Sequence, residues 1–309
     1  VQLRYWNGPA SLALYVNEIS ETTPDEIDVL ETFLEVHREM LRHTSIHVMM
    51  EYTNSTKGPL PYPHNPLRNL AMDQCDSDYI LALDADFIPH PADCYSKLHS
   101  TLFDNDGGGM EKEMRRKKRV MILPAFEIYA PENKTVATPD QLPASKLELY
   151  RLVEANRTES FRVNRYPAGH APTNFTKWFE PIVNKIILAE ESNSTNSSST
   201  AALTTNTSTS IDTTTTTTSP PFYPIFYRPG FEPYVLAYRP GIPRYWNDFR
   251  GFGQNKLSWF QEMHRDGYLF GSLWDFFVVH LQHPTTFNFK QRNANVIKNE
   301  AFLKYLDER

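Results

Sequence analysis

Three things are scarce in this sequence, and each scarcity closes off a class of protein. Cysteine occurs only as Cys75 and Cys94, so a small scaffold stapled by several disulfides is excluded. No apolar run approaches the roughly 20 residues needed to span a bilayer. Basic residues are outnumbered, 31 Lys and Arg against 37 Asp and Glu. The resulting net charge of −6 argues against a surface that tracks nucleic-acid phosphates, so no nucleic-acid partner is expected. The basic run from Lys112 to Arg119 is short and lies between a glycine loop and an apolar stretch; a solvated face is its expected role.

What is present is ordinary for a globular chain: 40% hydrophobic and 22% charged residues, over a length that supports a sizeable core. The chain opens on Val1, and any signal or anchor is expected upstream of it. Cys75 and Cys94 either pair in an oxidising compartment or remain two buried thiols. Sequons at Asn54, Asn133, Asn156, Asn174, Asn193, Asn196 and Asn206 exceed the roughly three that composition would supply and lean toward a secretory route.

The first half alternates strand and helix signals. Residues 11–16 read as a strand. Thr23-Pro-Asp-Glu26 then opens a helix, with Thr23 as cap, Pro24 at the first helical position and Glu26 completing a capping box. Ile27, Leu30, Phe33, Leu34, Met40 and Leu41 recur at helical spacing and predict its buried face. Residues 45–50, 79–89 and 119–124 read as further strands, and 65–73 as a second helix. This alternation predicts an α/β fold with a mixed, mostly parallel central sheet. From about 190 to 221 Ser, Thr and Asn take over, with six threonines at 213–218. That tract cannot bury enough apolar surface to offset its ordering entropy, so it predicts a disordered insertion within a single domain spanning 1–309. Its composition also suits O-glycosylation. Beyond it, 231–238 and 272–280 read as strands and 293–309 as an amphipathic closing helix.

Asp84 and Asp86 carry the strongest functional signal. They end the apolar run Tyr79-Ile-Leu-Ala-Leu83. In an extended strand, residues i and i+2 share a face about 6–7 Å apart. Two adjacent carboxylates are costly without a counter-charge, and a divalent cation is the natural one. The crevice beyond the carboxyl ends of strands is also where open α/β sheets bind nucleotides. The plainer reading is a surface turn in which Asp84 caps the following helix.

Eight collinear segments extend the picture over nearly the whole chain outside the Ser/Thr tract. They are Trp6-Asn-Gly-Pro-Ala-Ser-Leu-Ala-Leu-Tyr15, Asn65-Pro-Leu-Arg-Asn-Leu-Ala71, Leu83-Asp-Ala-Asp-Phe-Ile-Pro89, Leu123-Pro-Ala-Phe-Glu127, Gly169-His-Ala-Pro-Thr-Asn-Phe-Thr-Lys-Trp178, Phe231-Glu-Pro-Tyr-Val235, Gly251-Phe-Gly-Gln-Asn-Lys256 and Val278-Val-His280. As an ordered set they resemble glycosyltransferase family 49, the family of LARGE-type xylosyl/glucuronyltransferase domains and of the β-1,4-glucuronyltransferase. The resemblance implies a Rossmann-like GT-A fold, with one further β–α unit expected ahead of the Trp6 segment. It implies a divalent metal (Mn²⁺ or Mg²⁺), a UDP-sugar donor with glucuronate favoured, a glycan or glycoprotein acceptor and inversion at the anomeric carbon. It also implies a Golgi-lumen, type II membrane protein whose N-terminal anchor is absent from this sequence. Gln254 stands where the LARGE-type domains carry an aromatic residue.

Inverting transfer needs a stabilised leaving diphosphate, an oriented acceptor hydroxyl and a base. On the resemblance, Asp84, Asp86 and His280 are the expected metal ligands. His280 ends the apolar run 276–279 and offers an imidazole suited to Mn²⁺; His283 is the alternative, and a satisfied structural histidine the plainer reading. Arg68 either contacts diphosphate or fixes the aspartates by charge-assisted hydrogen bonds. With Asn69, Asp84, His170, Asn174, Asn255 and Lys256 it makes up the expected donor-binding set. Glu232 and Glu127 are the candidate bases, since burial beside aromatics is expected to raise a glutamate's pKa to a useful value; Asp248 is the outsider. Gly251 and Gly253 predict a tight turn. Trp178, Trp246, Trp259 and Trp274 offer surfaces for sugars or, more ordinarily, core packing. A non-catalytic glycan- or nucleotide-binding relative is the second reading.

Overall fold

The computed structural model describes residues 1–18, 25–52, 61–104, 109–129, 138–196, 220–251, 253–281 and 289–308. A short helix α1 (Gln2–Trp6) precedes β1 (Ala10–Glu18), α2 (Asp25–Val36), β2 (Thr44–Tyr52) and α3 (His64–Asp73). Next come β3 (Tyr79–Ala82), β4 (Phe87–His90), α4 (Cys94–Phe103), α5 (Gly109–Arg116), β5 (Arg119–Leu123) and β6 (Ala125–Ile128). The remainder is α6 (Lys146–Glu154), β7 (Thr158–Ser160), α7 (Phe175–Asn196), β8 (Phe222–Ile225), β9 (Tyr234–Tyr238), α8 (Asn255–Arg265), β10 (Leu269–Leu273), β11 (Phe277–Leu281) and α9 (Phe289–Glu308).

β1 and β2 form a parallel pair. A five-stranded sheet runs β3-β9-β5-β10-β8 and a four-stranded one β4-β11-β6-β7. The α/β class is as expected. The pairing is less parallel than expected: among the described residues three pairings are parallel and five antiparallel. The reason lies in broken runs. The stretch 79–89, expected as one strand, is β3 and β4 in different sheets, and 272–280 is likewise divided between β10 and β11. Between β5 and β6 the break falls at Pro124, which has no N–H for a ladder. Three times, then, the chain steps from the five-stranded sheet into the four-stranded one.

Central strands are covered on both faces, which makes them read as continuous apolar runs. Val120, Met121, Ile122 and Leu123 of β5 are all buried, as are Phe277, Val278 and Val279 of β11. Trp178 and Trp259 are packed in this core, with their indole N–H groups donating to the carbonyls of Leu273 (2.7 Å) and Pro243 (2.6 Å). Trp246 packs on Phe302 and Tyr305, and Trp274 on Tyr223. Core packing is therefore the role observed for all four.

Helix α2 departs from expectation. It ends at Val36, Val29 and Phe33 are 68% and 43% exposed, and Leu41 is buried beyond the helix end. Its apolar spacing finds only a shallow surface to cover, and its expected cap residues Thr23 and Pro24 lie outside the described residues. Helix α7 runs to Asn196, into the first residues of the Ser/Thr tract; the rest of the tract, 197–219, lies outside the described residues. Cys75 and Cys94 are free thiols, and burial pushes that of Cys94 up to about 12.

Candidate active site at the Asp84–Asp86 turn

Strand β3 stops at Ala82, and the chain turns through residues 83–86 before β4 begins. The two aspartates thus lie on a turn between sheets and not on the last pleat of one strand, which corrects the same-face expectation. The turn's main chain is held by Gln2, whose Nε2 donates to the Asp84 carbonyl at 3.1 Å and the Phe87 carbonyl at 2.8 Å.

Asp84 faces cations. Its Oδ1 accepts from Arg68 Nη2 at 2.9 Å, and its Oδ2 from Lys256 Nζ at 2.9 Å and the Tyr234 hydroxyl at 3.1 Å. Burial alone would raise its pKa, but Lys256 and Arg68 outweigh burial and hold the carboxyl well below the usual range. Of the two roles open to Arg68, fixing the aspartate is the one seen. Helix α3 presents it: Asn65, three residues earlier on the same face, accepts from Arg68 Nη1 at 3.0 Å. The Asn65 amide then donates to the carbonyls of Trp246 (2.9 Å) and Asn255 (3.0 Å), tying α3 to the start of α8.

Lys256, buried in the first turn of α8, lies over the Tyr234 ring at 4.0 Å from its centroid. It is delivered by the predicted glycine turn: Gly251 and Gly253 sit at φ 72° and 90°, where a side chain would be strained. Asn255 closes the turn, donating to the Gly251 carbonyl at 3.1 Å and accepting the Lys256 N–H at 2.7 Å.

Asp86 points to different partners. Its Oδ2 lies 3.1 Å from His280 Nε2, and the other ring nitrogen, Nδ1, lies 3.3 Å from Glu127 Oε1. Sheet register sets this row, because His280 pairs with Phe87 on one side and Glu127 on the other. Burial by itself would lower the His280 pKa; its bonds to Asp86 and Glu127 outweigh burial and raise it. Glu127 moves down and not up, since its hydrogen bond to His280 exceeds the effect of burial. That overturns the expected raised pKa at Glu127. A cavity of about 300 Å³ opens beside Asp86, bounded by Gln2, Met40, Ile88 and Leu281. Among the described residues no group of three or more His, Cys, Asp and Glu side chains converges into a metal-holding cluster.

Glu232 joins the Asp84 group, 3.9 Å from Lys256 Nζ. His170 is buried behind Tyr234, with ring centroids 6.4 Å apart. Burial, followed by the charges of Lys256 and Arg162, lowers its pKa to about 3, so it is neutral at ordinary pH. Two expected donor-binding residues do other work. The Asn69 amide clamps the loop after β9, donating to the Tyr245 carbonyl (2.7 Å) and Asn247 Oδ1 (2.8 Å) and accepting the Tyr245 N–H (2.9 Å). Asn174, exposed at φ 53°, caps α7 by accepting the Lys177 N–H at 3.1 Å. Asp248 is exposed and accepts from Trp246 Nε1 at 3.2 Å; His283 lies outside the described residues. Tyr234 and Gln2 were passed over by sequence reasoning. Tyr234 had a signal, the alternation that puts 234, 236 and 238 on one face; Gln2 had none, since it meets the turn only through folding.

A profile of the family described as "Glycosyl-transferase for dystroglycan" matches residues 50–201. The chain is 27% identical over 305 residues to xylosyl- and glucuronyltransferase LARGE2 of Homo sapiens, covering 99% of this chain and 34% of that protein. It is 29% identical over 283 residues to LARGE2 of Rattus norvegicus, covering 91% and 32%. With LARGE1 of Mus musculus it shares 26% over 292 residues, covering 94% and 30%. The chain thus spans about a third of the length of the curated relatives it matches.

Proposed function

We propose that this chain is a member of glycosyltransferase family 49, with a mixed α/β layout consistent with a GT-A-like fold, and that it transfers a sugar from a UDP-sugar to a glycan acceptor with inversion, glucuronate being the sugar we favour. Elongation of protein O-mannosyl glycans in the Golgi lumen is the setting proposed with it. The described residues contain no helix long and apolar enough to cross a membrane. One observation carries the reading: a single short turn joins a carboxylate–imidazole row (Asp86, His280, Glu127) to a cationic group (Arg68, Lys256) around Asp84.

A diphosphate leaving group gains negative charge as the glycosidic bond breaks, and cations aimed there in advance lower the barrier. Arg68 and Lys256 are two such cations, positioned beforehand by Asp84. Two carboxylates and an imidazole are donor types suited to Mn²⁺ or Mg²⁺, and Asp84, Asp86 and His280 are the ligands we propose. Among the described residues they do not converge on one point, because Asp84 is turned to Arg68 and Lys256 and Asp86 to His280, so an ion would have to draw Asp84 from its cations. Glu127 behind His280 fits as the outer carboxylate that fixes the ring's tautomer. When bound, the ion would add its charge to the neutralisation of the diphosphate. Glu232, beside Lys256 and partly open to solvent, is the group we assign to take the acceptor's proton; Glu127 is assigned to orientation.

UDP release measured with Mn²⁺ and a panel of UDP-sugars tests the reading. Release is expected with at least one donor, lost on chelation and in Asp86→Asn. No release with any donor overturns it. A non-catalytic nucleotide binder is favoured by one observation, that Arg68 and Lys256 already neutralise Asp84. It predicts UDP binding that survives Asp84→Asn, with no turnover in either form.

A further inference from the structure

At the opposite end of β3 from Asp84, a groove of about 570 Å³ runs between β3, α1, α4 and α5. Its size falls in the roughly 300–1,000 Å³ usual for small-molecule sites. Five of its fifteen lining residues are Trp, Tyr or Phe, against 13% aromatic in the whole chain. Trp6, from the Trp6-Asn-Gly-Pro segment that the aspartate turn does not use, is one of its lining residues.

Asn7, at φ 51°, ends α1, and Asp93, at φ 58°, begins α4; the Asn7 amide donates to Asp93 Oδ1 at 2.8 Å. Asn and Asp are the side-chain-bearing residues that most readily adopt this left-handed conformation. The link sets Trp6 edge-on to Tyr95, with centroids 5.4 Å apart, and Trp6 Nε1 is tied to the Pro9 carbonyl at 2.7 Å. Gly8 lies beneath Tyr95: a Cβ there would come within 2.2 Å of Tyr95 Cγ, so only glycine lets the ring rest in that place. Deeper in, Tyr79 donates to Glu111 at 3.1 Å, and Arg115 lies 3.7 Å from Glu111 and over the Tyr238 ring at 5.8 Å. Asp76 and Asp78 stand exposed on the rim.

Ring faces flanked by both carboxylates and a guanidinium suit a neutral guest that carries hydroxyl groups. The C–H face of a pyranose would lie on the rings, the carboxylates would accept its hydroxyl hydrogens, and Arg115 would donate to its oxygens. An anion would meet Asp76, Asp78 and Glu111. A cation would meet Arg115 already over Tyr238. We propose that this groove is a second binding site, for neutral pyranosides, apart from the reaction centre. Tyr238 lies four residues beyond Tyr234 on β9, a rise of about 13 Å. The proposal stands on the groove alone and does not need transfer to occur.

Saturation-transfer NMR on the full chain tests it, with methyl β-xyloside and methyl β-galactoside as neutral probes, methyl β-glucuronide as the anionic one and a tri-arginine peptide as the cationic one. Signals are expected from the neutral glycosides, with binding weakened about tenfold in Tyr95→Ala. Gly8→Ala, which displaces that ring, and Asp78→Asn, an exposed change that leaves packing intact, should weaken it as well. Binding in Asp84→Asn should equal that of the wild type. Absence of neutral binding, neutral binding unchanged in all three groove variants, or selective binding of the glucuronide or the peptide would each overturn the proposal. Loss in Asp84→Asn would also overturn it, by locating the probe at the aspartate turn.

Discussion

Replacing Lys256 by methionine keeps a long side chain over Tyr234 and removes its charge. Breaking a buried ion pair costs roughly 3–5 kcal/mol when the partner is stranded. Asp84 would not be stranded: Arg68 still holds its Oδ1 at 2.9 Å, and the Asp84 side chain is 32% exposed against 10% for Lys256. Solvent therefore screens part of the loss, and about 1–2 kcal/mol is expected at pH 7. The two cations hold the Asp84 carboxyl below its usual range, so as the pH falls the unfolded chain takes up its proton first. Stability from the pair is thus present above the unfolded value of 3.8 and is lost as the pH drops through the lower folded value. The gap between wild type and variant should be widest near neutrality and narrow in acid. Urea unfolding followed by tryptophan fluorescence at pH 7, 5 and 3 measures it. A gap that stays constant from pH 7 to pH 3 refutes the reasoning, since the loss would then belong to packing over Tyr234.

Glu127→Gln should weaken Mn²⁺ binding about 10–100-fold by freeing the His280 ring, as read by Mn²⁺ electron paramagnetic resonance; equal affinity would remove Glu127 from that role. Asn69→Ala leaves the Tyr245 N–H and carbonyl without their partner and should cost about 2–4 kcal/mol in denaturant unfolding, and a loss too small to measure would contradict the clamp. His64, His90 and His170 are held neutral, chiefly by burial, at about 4, 3 and 3. Since the unfolded chain protonates each first, stability should fall as the pH drops below 6.5, each histidine adding about 1.4 kcal/mol per pH unit. His90→Phe, which keeps a ring against Phe277, should make that decline shallower; an unchanged slope would show that His90 is not held neutral.

Asp84, Asp86 and His280 were legible because polar residues that end apolar runs are local signals of chemistry. Direction is not local. Apolar residues flank the aspartates on both sides, half-buried in β3 and buried in β4, so the run does not reveal that it turns between sheets at the aspartates. Glu127 ends an apolar motif, but its environment, which lowers its pKa, is not written in that motif. Its neighbour across the ladder is His280, and register between distant strands fixes that contact. Asn69 and Asn174, expected in the donor-binding set, are seen clamping a loop and capping a helix, uses that an asparagine beside candidate site residues serves equally well. The exposed Phe33 shows that helical spacing marks an apolar face without saying how much of the fold reaches it.

The three passages from the five-stranded to the four-stranded sheet, β3 into β4, β5 into β6 and β10 into β11, bear on how the molecule comes apart. Neither layer can peel away while the other persists, because each shares three covalent joints with its neighbour. The most protected amides of residues 121–123 and 278–280 therefore exchange with solvent in step, through one cooperative opening that also dismantles the turn where the aspartates meet their partners.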